Sequence, residues 1–387
     1  MGGALEPELT SDTGPGRLNG STGTGTTMHI PDGYLSPSTC AVLYAGAASG
    51  WYVALRRVKR VLSTKAIPLI SVFAAFSFVV MMFNVPLPGG TTGHALGVAI
   101  AAIVLGPWGA ILAISIALAI QALFFGDGGI TTYGANCFNM AIVGSLVAYG
   151  VYRLTAMKSD LRSRRRVWAA AMAGYFAINA AALLAAIEFG IQPALFHDGH
   201  GVPLYAPYSL HVAIPAMMIG HLTVAGLAEA AISAGMLSYL QRADLGLLRG
   251  LHSVAQSAAP LVPTDATASS RRLWWAVALL LVCTPLGILA AGTAWGEWSA
   301  AALVDANTRT QIAAASGNQL PPAGVPDGLQ RFSTVWTAPF PGYAPRFIKS
   351  PAVGYLLSAM FAVGLLVAAS LLARNFGKNW SRRELRS

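Results

Sequence analysis

The sequence predicts an all-α membrane protein: a seven-helix bundle, then a two-helix hairpin whose connecting loop is long and extracytoplasmic. Three observations predict it. Hydrophobic residues make up 55% of the 387 residues and charged residues only 10%, where a soluble domain carries about a quarter charged. Apolar runs near spanning length recur at 38–56, 67–84, 89–105, 108–125, 137–157, 167–189, 211–240, 273–294 and 352–373. The basic residues fall on one side of the nine-span map that these runs define.

That last point fixes the orientation. Of 25 Lys and Arg, five lie at 56–65, six at 153–166, four at 242–272 and five at 374–386. The short segments 85–94, 126–136 and 190–210, on the opposite side, hold none. Arg309, Arg331, Arg346 and Lys349 sit in the long loop 295–350, and long translocated loops obey the charge rule loosely. The bundle therefore starts outside, and the C-terminus is cytoplasmic. The net charge of +10 is then mostly topological; it favours anionic lipid and gives no reason to expect nucleic acid.

Taken in order, residues 1–27 are rich in Gly, Ser and Thr with no apolar run. They lack a signal-peptide core and have nothing to bury, and we read them as a disordered leader or an over-long start. Met28-His29-Ile30-Pro31-Asp32-Gly33 follows. Pro-Asp-Gly is strong turn chemistry by itself. If Met28 is the first residue, the stretch is also a chelate: the free amine, the His29 amide nitrogen and the His29 imidazole close a five- and a six-membered ring around one divalent cation. Nitrogen-rich square-planar or tetragonal sites suit Ni(II) and Cu(II), with Co(II) close behind.

In the first span Ala41, Ala45 and Ser49 recur every fourth position, a spacing that permits close helix contact within the chain or with a partner. The third span opens at Pro86-Leu-Pro-Gly-Gly-Thr-Thr-Gly-His94, and the third and fourth meet at Gly106-Pro107. His94 is an ionisable residue at membrane depth, which is a functional candidate by default, on the same side as His29. Its imidazole would complete a four-nitrogen set; the alternative is a hydrogen-bonded helix-terminus histidine. Asn136 and Asn139, one turn apart, suit a shell that orients a ligating imidazole. His221 and Glu229, eight residues apart on one helix, read as an interhelical hydrogen-bonding pair rather than a relay. His197, His200 and His211 fall in or beside an outer loop and read as solvated. The three cysteines, Cys40, Cys137 and Cys283, lie within or at the ends of spans and read as packing residues.

Residues 241–272 form a polar cytoplasmic linker. Beyond it, 273–387 reads as a small second module fused to the first (28–240), with Pro326-Asp-Gly-Leu-Gln330 in its outer loop. There is no G-x-x-x-x-G-K-[ST] loop and no H-E-x-x-H, so the chain offers neither an ATP phosphate cradle nor a zinc-protease helix.

Several stretches together resemble a known family. Met28–Pro37 (MHIPDGYLSP), Pro86–Leu96 (PLPGGTTGHAL), Leu105-Gly-Pro-Trp108, Phe125-Gly-Asp-Gly-Gly129 and Gly134-Ala-Asn136 are similar to the CbiM/NikM substrate-binding membrane component of nickel and cobalt energy-coupling factor transporters. Residues 273–387 resemble the small CbiN/NikN-like auxiliary subunit, with PDGLQ where that family has a PDGLE-type motif. The resemblance covers about 28–240 for the first module. It implies a seven-helix fold, with the Met28 amine, the His29 amide and imidazole, and His94 as ligands. It also implies Ni(2+) or Co(2+) as transported substrate, captured outside the cell, and partners comprising a membrane coupling (T) subunit and two ATP-binding subunits. The chain itself is then not an enzyme. A membrane metalloenzyme or metal sensor built on the same nitrogens is the alternative, although square-planar coordination leaves no obvious open position for a catalytic water.

Overall fold

In the computed structural model the described residues are 29–59, 66–243, 245–248, 266–290, 292–345 and 347–384. The leader 1–27 and Met28 lie outside them, as does most of the linker.

Helix α1 (Pro37–Lys59) starts where the Thr39 N–H donates to the Ser36 hydroxyl at 3.1 Å, with Pro37 in the first turn, where its missing N–H is no loss. Ala41, Ala45 and Ser49 are exposed along it. Helix α2 (Ala66–Met81) is almost wholly apolar and buried from Val72 onward. Residues 84–94 then depart from expectation. They form an antiparallel hairpin, β1 (Asn84–Leu87) with β2 (Thr91–His94), pairing Asn84 with His94. The reason is local: Pro86 and Pro88 withhold donors that a helix needs, and Gly89 and Gly90 turn the chain at φ +84° and +75°. Helix begins only at Val98, after Gly97 at φ +66°.

Helix α3 (Val98–Phe125) carries both the expected third and fourth spans. It is broken at Gly106 (φ 73°, ψ 168°), immediately before Pro107. It is the most buried helix and packs against α1, α2 and the two helices that follow. These are α4 (Tyr133–Ala156) and α5 (Arg164–Leu195), the latter capped where the Arg165 N–H donates to the Ser163 hydroxyl. Next come α6 (Leu210–Ala243) and the short α7 (Leu245–Leu248).

The C-terminal part of the chain opens with α8 (Ala266–Cys283), ahead of the expected span at 273, running into a 3₁₀ turn to Leu289. It closes with α12 (Pro351–Glu384). Between them 295–350 carries three short helices, α9 (Ala300–Val304), α10 (Ala306–Ala315) and α11 (Asp327–Phe332). Among the described residues, five helices are long and apolar enough to cross a membrane: α3, α4, α5, α6 and Pro351–Ala373 of α12. Ile67–Met81 and Leu273–Leu289 are shorter apolar helices.

The two modules share their cores. Leu273, Val277, Tyr355, Ala359 and Leu366 join the cluster built on α2 and α3. The segment 295–350 covers the hairpin end of the bundle: Trp295, Trp298, Leu303, Ile312 and Leu329 form a second cluster with Ile30, Tyr34, Phe189 and Tyr208. There the two Pro-Asp-Gly turns meet. A Cβ built on Gly33 would lie 2.5 Å from the Gly328 carbonyl oxygen, and one on Gly328 equally close to the Gly33 oxygen. Neither position has room for a side chain.

Candidate metal site

The site is built on the segment following Met28. Asn136 grips Ile30 on both sides: the Ile30 N–H donates to its amide oxygen at 3.0 Å, and its amide nitrogen donates to the Ile30 carbonyl at 3.1 Å. The Gly129 N–H reaches the same carbonyl at 3.0 Å. The Asp32 carboxylate accepts from the N–H groups of Ile130 and Thr131 at 3.1 and 2.7 Å, and from the Thr131 hydroxyl. The Phe125–Gly129 stretch is glycine-rich for this purpose. A Cβ on Gly129 would strike Asp32, and one on Gly128 (φ +88°) would lie 3.0 Å from the His29 Cβ.

So clamped, His29 is 2% exposed. Its ring stands edge-on to that of His94, with centroids 5.1 Å apart and planes at 63°. His29 Nδ1 lies 3.0 Å from an Asp127 carboxylate oxygen, while Nε2 is buried without a hydrogen-bond partner among the described residues. Asp127 is itself held: the Tyr343 hydroxyl donates to its other oxygen at 2.6 Å, and the Gln121 amide donates to that hydroxyl at 3.1 Å. His94 Nδ1 is 3.0 Å from the Ala95 carbonyl. That bond fixes the proton on Nδ1 and leaves the Nε2 lone pair for a ligand. The residues after His94 are anchored by Glu229, whose carboxylate accepts from the N–H groups of Leu96 and Gly97 at 2.6 and 2.9 Å.

The two imidazoles line a small cavity of about 80 Å³ with Asn139, His221, Trp295 and Glu297. Burial, reinforced by the charge of Asp127, holds the Glu297 carboxyl well above the usual carboxylate range, against the opposing pull of the His29 backbone N–H. Burial likewise raises the Tyr343 phenol. Among the described residues no group of three or more His, Cys, Asp or Glu side chains forms a metal cage. Two imidazoles would therefore need further donors, such as backbone or terminal nitrogen.

The sequence-predicted residues thus divide. His29 and His94 come together, and Asn136 lies against them but holds the Ile30 backbone rather than an imidazole. Asn139 lines the cavity and donates to Glu188 at 2.9 Å. Of the expected interhelical pair, Glu229 bonds across to the segment that follows the hairpin, while His221 Nδ1 bonds within its own helix, 2.8 Å from the Met217 carbonyl. His197, His200 and His211 lie at the loop surface with local polar partners. Asp127, Tyr343 and Glu297 were not singled out from sequence; the Gly-Asp-Gly-Gly run was the available signal for the first.

The description "CbiM: Cobalt uptake substrate-specific transmembrane region" belongs to a family model that matches residues 29–246. The chain belongs to this family. It is 53% identical over 341 residues to a fused nickel transport protein NikMN of Rhodobacter capsulatus, covering 88% of this chain and 95% of that one. It is 40% identical over 339 residues to a probable fused nickel transport protein LarMN of Lactiplantibacillus plantarum, covering 87% and 94%. A crystal structure of a transition metal transporter superposes with TM-score 0.54 at 50% identity, over 60% of this chain and all of the other. The CbiM-type match ends near α7, and the fused relatives extend the similarity into the second module.

Proposed function

We propose that the chain is the substrate-binding component of an energy-coupling factor importer for Ni(II) or Co(II). The observation that carries the reading is the edge-on pair of His29 and His94 in a buried cavity, with the chain immediately after His29 clamped at Ile30 and Asp32. The ligands we assign are the Met28 amine, the His29 amide nitrogen, His29 Nδ1 and His94 Nε2. A six-membered ring from the amide nitrogen can close only through Nδ1, the atom that now faces Asp127. A half-turn of the imidazole about Cβ–Cγ brings Nδ1 to the cavity and hands Nε2–H to Asp127. A carboxylate on the far nitrogen of a metal-bound histidine is the common arrangement, and it raises the ligand's basicity. The present orientation leaves Nε2 buried and unpaired, at a cost of about 1–3 kcal/mol that the half-turn together with metal binding at Nδ1 would remove.

Counting the two arms of α3 separately gives the seven-helix module, with 295–350 capping its outer face. The chain has no nucleotide-binding motif, so uptake against a gradient rests on a coupling subunit and two ATP-binding subunits. The identity of the relatives favours nickel. Anaerobic metal analysis of chain beginning at Met28 tests the proposal. About one equivalent of metal is expected, lost in His29→Ala and in His94→Ala. Retention of metal by both variants, or substrate turnover by the chain without ATP, overturns it.

A further inference from the structure

Glu297 is placed with unusual care for a loop carboxylate. The segment before it is pinned to β2, two residues short of His94: the Thr92 N–H donates to the Thr293 carbonyl at 3.1 Å, and its hydroxyl to the Gly292 carbonyl at 3.2 Å. The residue after it is pinned to the chelate segment, where the Tyr34 hydroxyl donates to the Trp298 carbonyl at 2.7 Å. Gly296 takes φ +84°, and a Cβ there would lie 2.7 Å from the Phe189 ring. Only glycine lets the loop turn at that point and direct the next side chain inward. Glu297 is 8% exposed, it lines the same cavity as both imidazoles, and its Oε2 has no hydrogen-bond partner among the described residues. The His29 backbone N–H faces its carboxyl group. Among the described residues no Lys or Arg lines the cavity.

A glutamine would accept the same N–H without placing an acid beside the imidazoles. A carboxylate there attracts a positive ligand, and both imidazoles line the same cavity. We propose that Glu297 contacts the metal in transit: its carboxylate takes the incoming divalent transition-metal ion from water and passes it to the nitrogens of His94 and His29. The step is ligand exchange, with no change of oxidation state. The Glu297 carboxyl gives its proton to water as one metal–oxygen bond forms and a bound water leaves. That bond breaks as a metal–nitrogen bond forms, the carboxylate taking up the proton shed by the His29 amide. Oxygen donors hold Ni(II) and Co(II) less strongly than imidazole does, so the exchange runs downhill toward the final site. On this view the second module supplies a side chain to the loading path, and not merely a cover. The inference rests on the ligand assignment above.

The test is stopped-flow association of Ni(II), followed by equilibrium metal content, on the native chain with both modules. Glu297→Gln should slow association by about tenfold or more while final content stays within about twofold of wild type. Glu297→Asp, which keeps the charge, should recover part of the rate. Glu297→Gln loading at the wild-type rate overturns the inference, as does loss of its equilibrium binding, because a transit residue is absent from the final set. His94→Ala separates the two levels. If it still binds nickel normally, the ligand assignment fails; if it loses nickel while Glu297→Gln loads normally, only the role of Glu297 fails.

Discussion

Replacing Gly328 by alanine should undock the outer segment without unfolding the bundle. The built Cβ would lie 2.5 Å from the Gly33 carbonyl oxygen and would also strike the Tyr205 ring, where ordinary contact begins near 3.4 Å. The Pro-Asp-Gly turns must then separate by roughly 1 Å, and overpacking on that scale costs about 1–3 kcal/mol. The strain falls on the bond from the Gly328 N–H to the Leu204 carbonyl at 2.7 Å, and on Leu329, 2% exposed in the cluster around Tyr34. At 1.4 kcal/mol per decade, the undocked population should rise about 5- to 150-fold. Limited proteolysis within 317–326 reads that population directly when redocking is fast. The core around α2 and α3 does not include these residues, so the main thermal transition should move little. Gly324 is the control, because it lies in the same segment and a Cβ there meets nothing within 4 Å. Equal cleavage rates for Gly328→Ala, Gly324→Ala and wild type would refute the interlock.

Three further outcomes are expected. Asp127→Asn keeps a hydrogen-bond acceptor beside His29 but removes the charge, and it should weaken nickel binding about 10- to 100-fold in an equilibrium titration; unchanged affinity would remove Asp127 from the site. Inserting one alanine between Met28 and His29 should weaken binding by at least about two decades, because it breaks the pair of fused chelate rings. Tight binding by native protein that keeps Met1 to Thr27 would show the amino-terminal chelate to be wrong. Cysteines introduced at 195–205 should be labelled from outside the cell and those at 158–164 should not; the reverse pattern would put the metal pocket on the cytoplasmic face.

The long helices were legible because twenty-residue apolar runs have few alternatives in a chain with so little charge. The 84–97 stretch was not, because apolar content does not distinguish a short strand from the start of a helix; only Pro86, Pro88, Gly89 and Gly90 carried the difference. His29 and His94 stood out as rare ionisable groups in an apolar chain. Their supports did not, since Asp127 reaches His29 across 98 residues and Tyr343 reaches Asp127 across 216. No local spacing encodes such contacts, and a loop acid such as Glu297 reads as solvated by default. The interhelical reading holds for Glu229 but not for His221, whose Nδ1 bonds the Met217 carbonyl one turn back, where residues 221–225 wind as a π-helical turn.

Covalent linkage helps to hold the segment that covers the site. Among the described residues its links to the chelate region include Tyr34 to Trp298, Gly33 against Gly328, Thr92 to Gly292 and Thr293, and Tyr343 to Asp127, besides the apolar cluster of Trp295, Trp298 and Leu329 with Ile30 and Tyr34. Each neutral hydrogen bond contributes about 0.5–1.5 kcal/mol net, and a separate chain would also have to offset the entropy of association. Covalent connection through α8 and α12, both packed on α2, makes docking intramolecular, and modest contacts then suffice. A cover held this way can also open without dissociating, which a cavity lined by His29, His94 and Glu297 requires if metal is to enter and leave.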